Sequence, residues 1–337
     1  MTQELLVLSA SDVHAALSYA DCASAMREAL IALGTGRAQM PLRTVTRPAG
    51  AAGLVALMPS YLSGDPQGAT YGLKAICITP SNPAAGLDTH QGVVLLSSGE
   101  TGEPVALLNA SAVTEIRTAA VSVVATDLLA RADASELAVI GTGVQARAHI
   151  LAIDDARPLT AIRVAGRDPV RTAQFAAGLA GHTRAPLTVC VTARDAIDGA
   201  GIVVTATSSA EPVLERDWLA PGAHVNAVGA CLPAMRELDT ATVAAAALFA
   251  DRRDSMLTES GDYLLAAAEG AVGPDQIRAE LGELLAGAPR GRASADEITV
   301  FESLGLAVED LAAAARACAA ATRRRGTAGQ IGSWLSF

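Results

Sequence analysis

The sequence predicts a two-domain protein of the α/β class, on the basis of its length and of two regions that differ in pattern. The chain has 337 residues, and one hydrophobic core rarely organises more than about 250–300 residues. Before about residue 110, short strand-like runs are separated by Gly and Pro turns, as in an antiparallel α+β domain. From residue 136 onward, short apolar strands alternate with helical patterns, which is typical of a parallel sheet.

The first region begins with a helix and continues as strands. Apolar residues at helical spacing predict a helix over 21–34 that ends at Gly34. Strands are predicted over 54–58, 72–78, 92–96 and 104–108. A helix over 112–130 follows, with Ser111 as its predicted N-cap.

The second region has the alternation expected of a parallel sheet. Strands are predicted over 136–140, 161–165, 188–191, 202–206, 223–228 and 247–250, and helices follow the first two of them. Helices over 279–285 and 303–321 are expected to return the chain to the first domain.

Composition excludes several classes of function. A net charge of −10 and an aromatic content of 3% argue against nucleic-acid binding. The five cysteines form no CxxC pair, so we expect no disulfide framework, no metal site and a reducing, cytoplasmic location. No apolar run reaches the roughly 18 residues of a membrane span, and we expect no membrane partner.

A glycine motif follows the strand at 136–140. Gly141, Gly143 and Ala146 form GxGxxA between a predicted strand and a predicted helix. Gly141 permits a tight turn, and Gly143 lets the backbone approach a pyrophosphate at the helix N-terminus. We therefore predict a Rossmann dinucleotide-binding domain, with a glycine-rich turn that binds no ligand as the alternative.

The end of the second strand indicates which dinucleotide is bound. An NAD-preferring fold places an acid there, but this sequence has Gly166 followed by Arg167. A guanidinium suits a 2′-phosphate, so NADP(H) is favoured over NAD(H). Asp168, one residue later, argues the other way, and Arg167 as a solvated surface charge is the alternative.

Lys74 is unusual because it is the one lysine beside 24 arginines. A solvated position would accept Arg equally well, so a position that retains Lys indicates a need for a compact ammonium or for an amine that can lose its proton. Lys74 is a candidate for holding a carboxylate or donating a proton. Arg43 and Arg117 are candidates to complete an anion site, and the alternative for each is an internal salt bridge.

These residues, in their order and spacing, resemble the ornithine cyclodeaminase/μ-crystallin family over residues 26–315. The matching stretches are 41–44 (PLRT), 57–59 (LMP), 72–74 (GLK), 100–104 (ETGEP), 117–120 (RTAA), 141–146 (GTGVQA), 221–229 (PGAHVNAVG), 237–238 (EL), 280–283 (ELGE) and 299–305 (TVFESLG). Each stretch alone is weakly specific, whereas their order and spacing together are highly specific.

The resemblance implies an architecture and a set of site residues. It implies a Rossmann domain (119–302) inserted into a mixed α+β substrate-binding and dimerisation domain (1–118 and 303–337) of a homodimer. It implies that Arg43, Lys74 and Arg117 hold a substrate carboxylate and that Leu304 lies at the substrate. The residues that it places near the dinucleotide are Thr89, Arg117, Thr118, Val144, Gln145, Thr207, Val228 and Ser303.

One departure from the family pattern bears on the chemistry. Members that deaminate ornithine or lysine carry a catalytic Asp at the position of Cys231. Without that base, the resemblance implies the ketimine reductase-like members, which reduce an α-imino acid with NAD(P)H. The substrate is then a ketimine such as pyrroline- or piperideine-2-carboxylate, or an acyclic imine. Lys74 and Cys231 are the catalytic candidates, with Cys231 as a small buried filler in the alternative.

Three other functions remain open at this point. One is a redox-neutral cyclodeaminase, and a second is an N-substituted amino-acid dehydrogenase of siderophore or antibiotic assembly. The third is a ligand-binding protein that keeps the nucleotide but has no turnover.

Overall fold

The computed structural model describes residues 4–65 and 68–336. The chain forms two compact units. The residues up to Arg117 and from Leu306 onward make one of them, called the split unit below, and Thr118–Gly305 make the central unit.

The elements are numbered in chain order. The first ones are β1 (Glu4–Leu8), α1 (Ala10–Ala16), α2 (Tyr19–Gly34), β2 (Ala38–Gln39), β3 (Thr44–Thr46), β4 (Leu54–Asp65), β5 (Gly68–Ile78), β6 (His90–Ser98), β7 (Pro104–Asn109) and α3 (Ala110–Leu129). Next come β8 (Glu136–Ile140), α4 (Val144–Ala156), β9 (Ala161–Ala165), α5 (Pro169–Ala177), β10 (Leu187–Val189), α6 (Ala193–Ile197), β11 (Ile202–Thr205) and β12 (His224–Ala227). The last are α7 (Thr240–Ala245), β13 (Ala247–Ala250), α8 (Arg253–Glu259), α9 (Gly261–Ala268), β14 (Ile277–Glu280), α10 (Leu281–Leu285), β15 (Thr299–Glu302), α11 (Ala307–Arg323) and β16 (Ser333–Ser336). Single-turn 3₁₀ helices cover Asn82–Ala85, Arg216–Trp218 and Pro274–Gln276.

The split unit is built on a mixed sheet. Its strands run in the order β16-β1-β7-β6-β5-β4-β2, with β3 also paired to β4. Strands β4 to β7 form an antiparallel meander in which every second residue faces inward. Helix α11 covers the inward face so closely that a Cβ at Gly72 would lie 2.9 Å from that of Leu311. The inward side chains of β5 therefore lie beneath α11.

The central unit contains a parallel sheet with Rossmann topology. Its strands run in the order β10-β9-β8-β11-β12-β15-β13-β14, and every described pair is parallel. The first five positions reproduce the 3-2-1-4-5 order of dinucleotide-binding folds. Strands β11, β12, β13 and β15 are buried at every residue, as expected for a sheet covered on both faces. The predicted α/β class with a Rossmann domain is confirmed.

The structure corrects two local predictions. The helix predicted over 279–285 is present only over Leu281–Leu285 (α10), because the residues up to Glu280 form β14, and it belongs to the central unit instead of returning the chain to the first domain. Buried Ile277 and Ala279 pair with β13, so period-2 burial prevails there over helical periodicity. Ser111 is not the cap of α3: the Asn109 side chain accepts the bond from Ala112 N (2.9 Å), and the Ser111 hydroxyl donates to the His90 carbonyl.

Two features are absent from the described residues. No helix there is both long and apolar enough to pass through a bilayer. No group of three or more His, Cys, Asp or Glu side chains there is arranged to hold a metal ion.

Candidate active site

Lys74 lies on the inward face of β5. It is 3% exposed, with Met58 of β4 and Val94 of β6 beside it in register. Its Nζ lies 2.7 Å from Oδ2 of Asp310 on α11. An ammonium buried this deeply needs an anionic partner, and Asp310 supplies it. The solvated-face alternative for Lys74 is excluded by this burial.

Arg117, on α3, is also buried and binds the same end of α11. Its Nε donates to Asp310 Oδ1 (3.1 Å) and its Nη1 donates to Glu309 Oε2 (3.1 Å). The two oxygens of Asp310 therefore link Lys74 to Arg117. The internal ion pair considered as the alternative for Arg117 is therefore present.

Sequence reasoning missed Glu309 and Asp310. The available signal was two adjacent acids at the start of an otherwise alanine-rich helix, where acids also complement the helix dipole. Glu309 accepts a bond from the backbone N of Leu306 (3.2 Å), which fixes the first turn of α11.

The electrostatics of this cluster favour an anionic ligand. Burial lowers the pKa of Lys74 to about 8, although Asp310 raises it and Arg117 and Arg43 lower it further. Burial, Lys74 and Arg117 lower the pKa of His90 to about 4, so this imidazole is neutral at pH 7. Arg43 is half-buried in the segment before β3. Three cations and two carboxylates leave one positive charge, which suits a carboxylate ligand.

The glycine turn lies where the sheet order reverses, between β8 and β11. Gly141 has a φ of 129°, and a Cβ there would lie 2.4 Å from the Ala206 carbonyl oxygen. A Cβ on Gly143 would meet no atom within 4 Å, and no side chain caps the start of α4. Open space beside uncapped helix N–H groups fits a pyrophosphate, so the motif suits a dinucleotide.

Arg167 and Asp168 follow the carboxyl end of β9. Arg167 is exposed. Asp168 is the N-cap of α5, where its Oδ1 accepts from Val170 N (2.9 Å) and Arg171 N (3.1 Å). Gly166 is required by close packing, because a Cβ would lie 2.6 Å from Thr172 Oγ1. The Asp168 carboxylate, whose position was a reason to expect NAD, therefore caps α5.

The other predicted nucleotide residues of the central unit lie mainly at the carboxyl ends of parallel strands, where such sheets bind ligands. Thr207 follows β11, and Val228 follows β12. Ser303 follows β15, and its buried hydroxyl has no hydrogen-bond partner among the described residues. Thr118 is buried on α3, Val144 is exposed at the start of α4 and Gln145 is next to it. Thr89, in the split unit, is half-buried, and its carbonyl accepts from Thr79 N.

Leu304 and Cys231 both pack in or against the apolar core of the central unit. Leu304 is 4% exposed, belongs to the apolar cluster of that unit and donates its backbone N–H to Asp251. Cys231 is partly buried against the same cluster. Their predicted contacts with substrate stay predictions.

Buried carboxyl groups organise the binding edge of the central unit, and sequence reasoning missed them too. Glu237 accepts from Thr205 Oγ1 (2.9 Å), Thr207 N (2.6 Å) and Gly229 N (2.7 Å), so it joins the segments after β11 and β12. Asp262 accepts from the backbone N atoms of Glu237 and Leu238. Burial raises the pKa of Glu237, Asp262 and Glu302, and the pKa values of Asp262 and Glu302 are raised further by neighbouring acids.

Comparison with known proteins shows the family of the chain. The model of the ornithine cyclodeaminase/mu-crystallin family matches residues 3–321. The chain belongs to this family. Among family relatives, ketimine reductase mu-crystallin of Mus musculus is 37% identical over 279 residues, covering 83% of this chain and 84% of the relative.

Solved family structures match nearly the whole chain. Thermococcus litoralis Delta(1)-pyrroline-2-carboxylate reductase, solved with NADH and L-proline, has a TM-score of 0.92 at 33% identity and covers 98% of this chain and 99% of its own. An archaeal alanine dehydrogenase dimer with bound NAD has a TM-score of 0.91 at 29% identity and covers 99% of this chain and 100% of its own.

Proposed function

We propose that this family member is an NAD(P)H-dependent oxidoreductase that reduces an α-imino acid to the amino acid. The observation that carries the proposal is the buried pair of cations, Lys74 and Arg117, held by Asp310. Asp310 and Glu309 balance the charges of this pair, and Arg43 adds the positive charge that a substrate carboxylate would neutralise. The relatives named as ketimine and pyrroline-2-carboxylate reductases support a substrate with a carboxylate beside a C=N bond.

The residues of the chain have separate tasks in this reaction. Lys74, Arg117 and Arg43 hold the substrate carboxylate, which fixes the position of the adjacent imine carbon. Gly141, Gly143 and the first N–H groups of α4 hold the pyrophosphate. The nicotinamide cofactor, when bound, supplies the hydride. Lys74 Nζ is mainly protonated at pH 7 and is a candidate donor of a proton to the imine nitrogen.

Position 231 favours reduction over cyclodeamination. Cyclodeamination needs a base beside the reacting carbon, and Cys231 offers no carboxylate there. An iminium is already an electron sink, so imine reduction does not need that base. Leu304 and Cys231 are assigned to the substrate side of the site as part of this proposal.

NADP(H) is the proposed physiological nucleotide. Exposed Arg167 offers a guanidinium for a 2′-phosphate, and Asp168 is engaged in capping α5. The solved relatives carry NADH and NAD, so the preference rests on these two residues alone.

The active form is proposed to be a cytoplasmic homodimer. The face of the split-unit sheet opposite α11 carries exposed apolar side chains, among them Leu57 (41% exposed) and Val93 (39%). These two flank Ala75 in one row across β4, β5 and β6. The archaeal alanine dehydrogenase is a dimer, which supports a second copy as the partner. Five cysteines without a disulfide suit a reducing cytoplasm.

A panel of imines tests the function. Purified protein is incubated with NADPH or NADH and pyrroline-2-carboxylate, piperideine-2-carboxylate or iminosuccinate, and nucleotide absorbance is followed. We expect oxidation with at least one imine, and a higher kcat/KM with NADPH. No oxidation with any imine would favour a binding protein. Proline and ammonia from ornithine with catalytic NAD would establish a cyclodeaminase instead.

A further inference from the structure

Asp310 contacts two of the proposed substrate-binding cations at once. Its Oδ2 lies 2.7 Å from Lys74 Nζ, and its Oδ1 lies 3.1 Å from Arg117 Nε. Asp310 is 1% exposed, so water does not screen either contact. A carboxylate with one oxygen on each cation fixes the ammonium and the guanidinium relative to each other.

The surroundings of Lys74 otherwise oppose its charge. Burial beneath α11 favours the neutral amine, and Arg117 and Arg43 act in the same direction. His90 on β6, which shares the inward sheet face with Lys74, is neutral at pH 7 and adds no negative charge. Glu309 is directed at Arg117, where its Oε2 lies 3.1 Å from Nη1. Asp310 acts in the opposite direction, because its negative charge stabilises the Lys74 ammonium and raises the pKa of Lys74.

We propose that Asp310 is a positioning residue that keeps the Lys74 ammonium charged and aligned with Arg117, so that an acid of α11 sets the upper pH limit of substrate capture. The proposal rests on the proposed carboxylate-binding role of Lys74 and extends it. Asp310 acts through Lys74 and Arg117, without itself contacting the substrate carboxylate.

The expected effect has a definite sign. An adjacent negative charge raises the pKa of a lysine, so its removal lowers that pKa from its present value of about 8. With Asp310→Asn, the ammonium is then lost as the pH rises through the neutral range. Capture of a carboxylate weakens over the same range, and we expect the alkaline limb of kcat/KM to move down by at least about one pH unit.

The single lysine makes a direct measurement possible. Protein grown with 13C-labelled lysine in a deuterated background gives one lysine Cε signal, from Lys74, because no other lysine is present. Its shift is followed against pH without substrate or nucleotide. In the wild-type protein we expect a charged amine at pH 7, and in Asp310→Asn a pKa lower by at least about one unit.

Glu309→Gln is the matched control. It removes a neighbouring acid of the same helix turn that binds Arg117 and leaves the Asp310–Lys74 contact in place. We expect it to raise KM while the Lys74 pKa changes by less than about 0.3 unit. Asp310→Glu, which restores the charge, should return the pKa toward the wild-type value.

Three results would overturn the proposal: an unchanged Lys74 pKa in Asp310→Asn, an equal fall in Glu309→Gln, or a neutral amine at pH 7 in the wild type. The last needs no variant, so it decides the matter even if Asp310→Asn fails to fold. The NMR titration involves no turnover, so an inactive wild type in the imine panel would contradict the proposed function and leave this test intact.

Discussion

At Lys74 the structure gives a reason for a lysine in a chain that otherwise uses arginine. The ammonium fits between β5 and α11 at 2.7 Å from Asp310, and a guanidinium is larger, planar and permanently charged. We predict that Lys74→Arg folds but lowers the reductase kcat/KM at least about 10-fold, which corresponds to about 1.4 kcal/mol of transition-state stabilisation. Steady-state kinetics with the best imine of the panel measures this.

The control for this substitution is Arg184→Lys. The Arg184 side chain is exposed in the central unit and pairs with Asp155, so exchanging its cation should leave kcat/KM unchanged. If Lys74→Arg has the same kcat/KM as the wild type, the site does not require a lysine at this position.

Single residues were predictable from the sequence where the signal was local. Lys74 stood out by composition, and Arg117 by its place in an apolar helix. Their partner Asp310 was not predictable, because it lies 193 residues from Arg117 and reaches it only through the packing of α11. Glu237 was missed for a similar reason, because its bonds run to strand ends 30 and 32 residues away.

Among the elements, the loops after β11 and β12 depend on one carboxylate. Glu237 accepts three hydrogen bonds, two of them from the backbone N atoms of Thr207 and Gly229. In Glu237→Gln the amide NH₂ faces a donor, so at least one buried N–H loses its partner at a cost of about 1–3 kcal/mol. We predict a lower free energy of unfolding of the central unit and weaker NADPH binding, measured by denaturant titration and calorimetry.

An exposed acid provides the comparison. Glu211→Gln changes a side chain at the surface of the same unit and should leave both quantities within error. If Glu237→Gln matches the wild type in NADPH affinity, Glu237 does not hold the nucleotide loops in place.

Elements were predicted best where the apolar runs were short and continuous. Strands β8, β9 and β13 have the predicted bounds, since each is nearly or wholly buried in the parallel sheet. Strands β1 and β16 were not predicted, because β1 is defined by pairing with β7 and β16, partners distant in sequence. The helix predicted over 279–285 was right from Leu281 onward, but its first two residues belong to β14, because short apolar runs do not separate strand from helix.

For the whole molecule, composition and pattern predicted two domains and a last helix that returns to the first of them, and the family resemblance implied the bounds of the inserted domain. No residue pattern in the first 117 residues indicates that α11 returns to cover their sheet. That return is what brings Asp310 to Lys74, so the chemistry of the split unit depends on a contact between residues that are far apart in the sequence. The sheet that α11 covers has a second face, opposite the helix.

The uncovered face of the split-unit sheet should bind a second copy of the chain. Leu57 and Val93 lie on it in one row, and its side chains alternate with those directed at α11, so a change there leaves the Lys74 side untouched. Burying an unpaired carboxylate in a dimer interface costs several kcal/mol, enough to raise the dimer Kd by at least about 100-fold. We therefore predict that the wild type sediments at twice its chain mass of 34.1 kDa and that Leu57→Asp sediments as the monomer. Val191→Asp, at a valine of the central unit that is 90% exposed, should remain dimeric. A dimeric Leu57→Asp would place the interface elsewhere, whereas monomers in both variants would point to added charge as the cause.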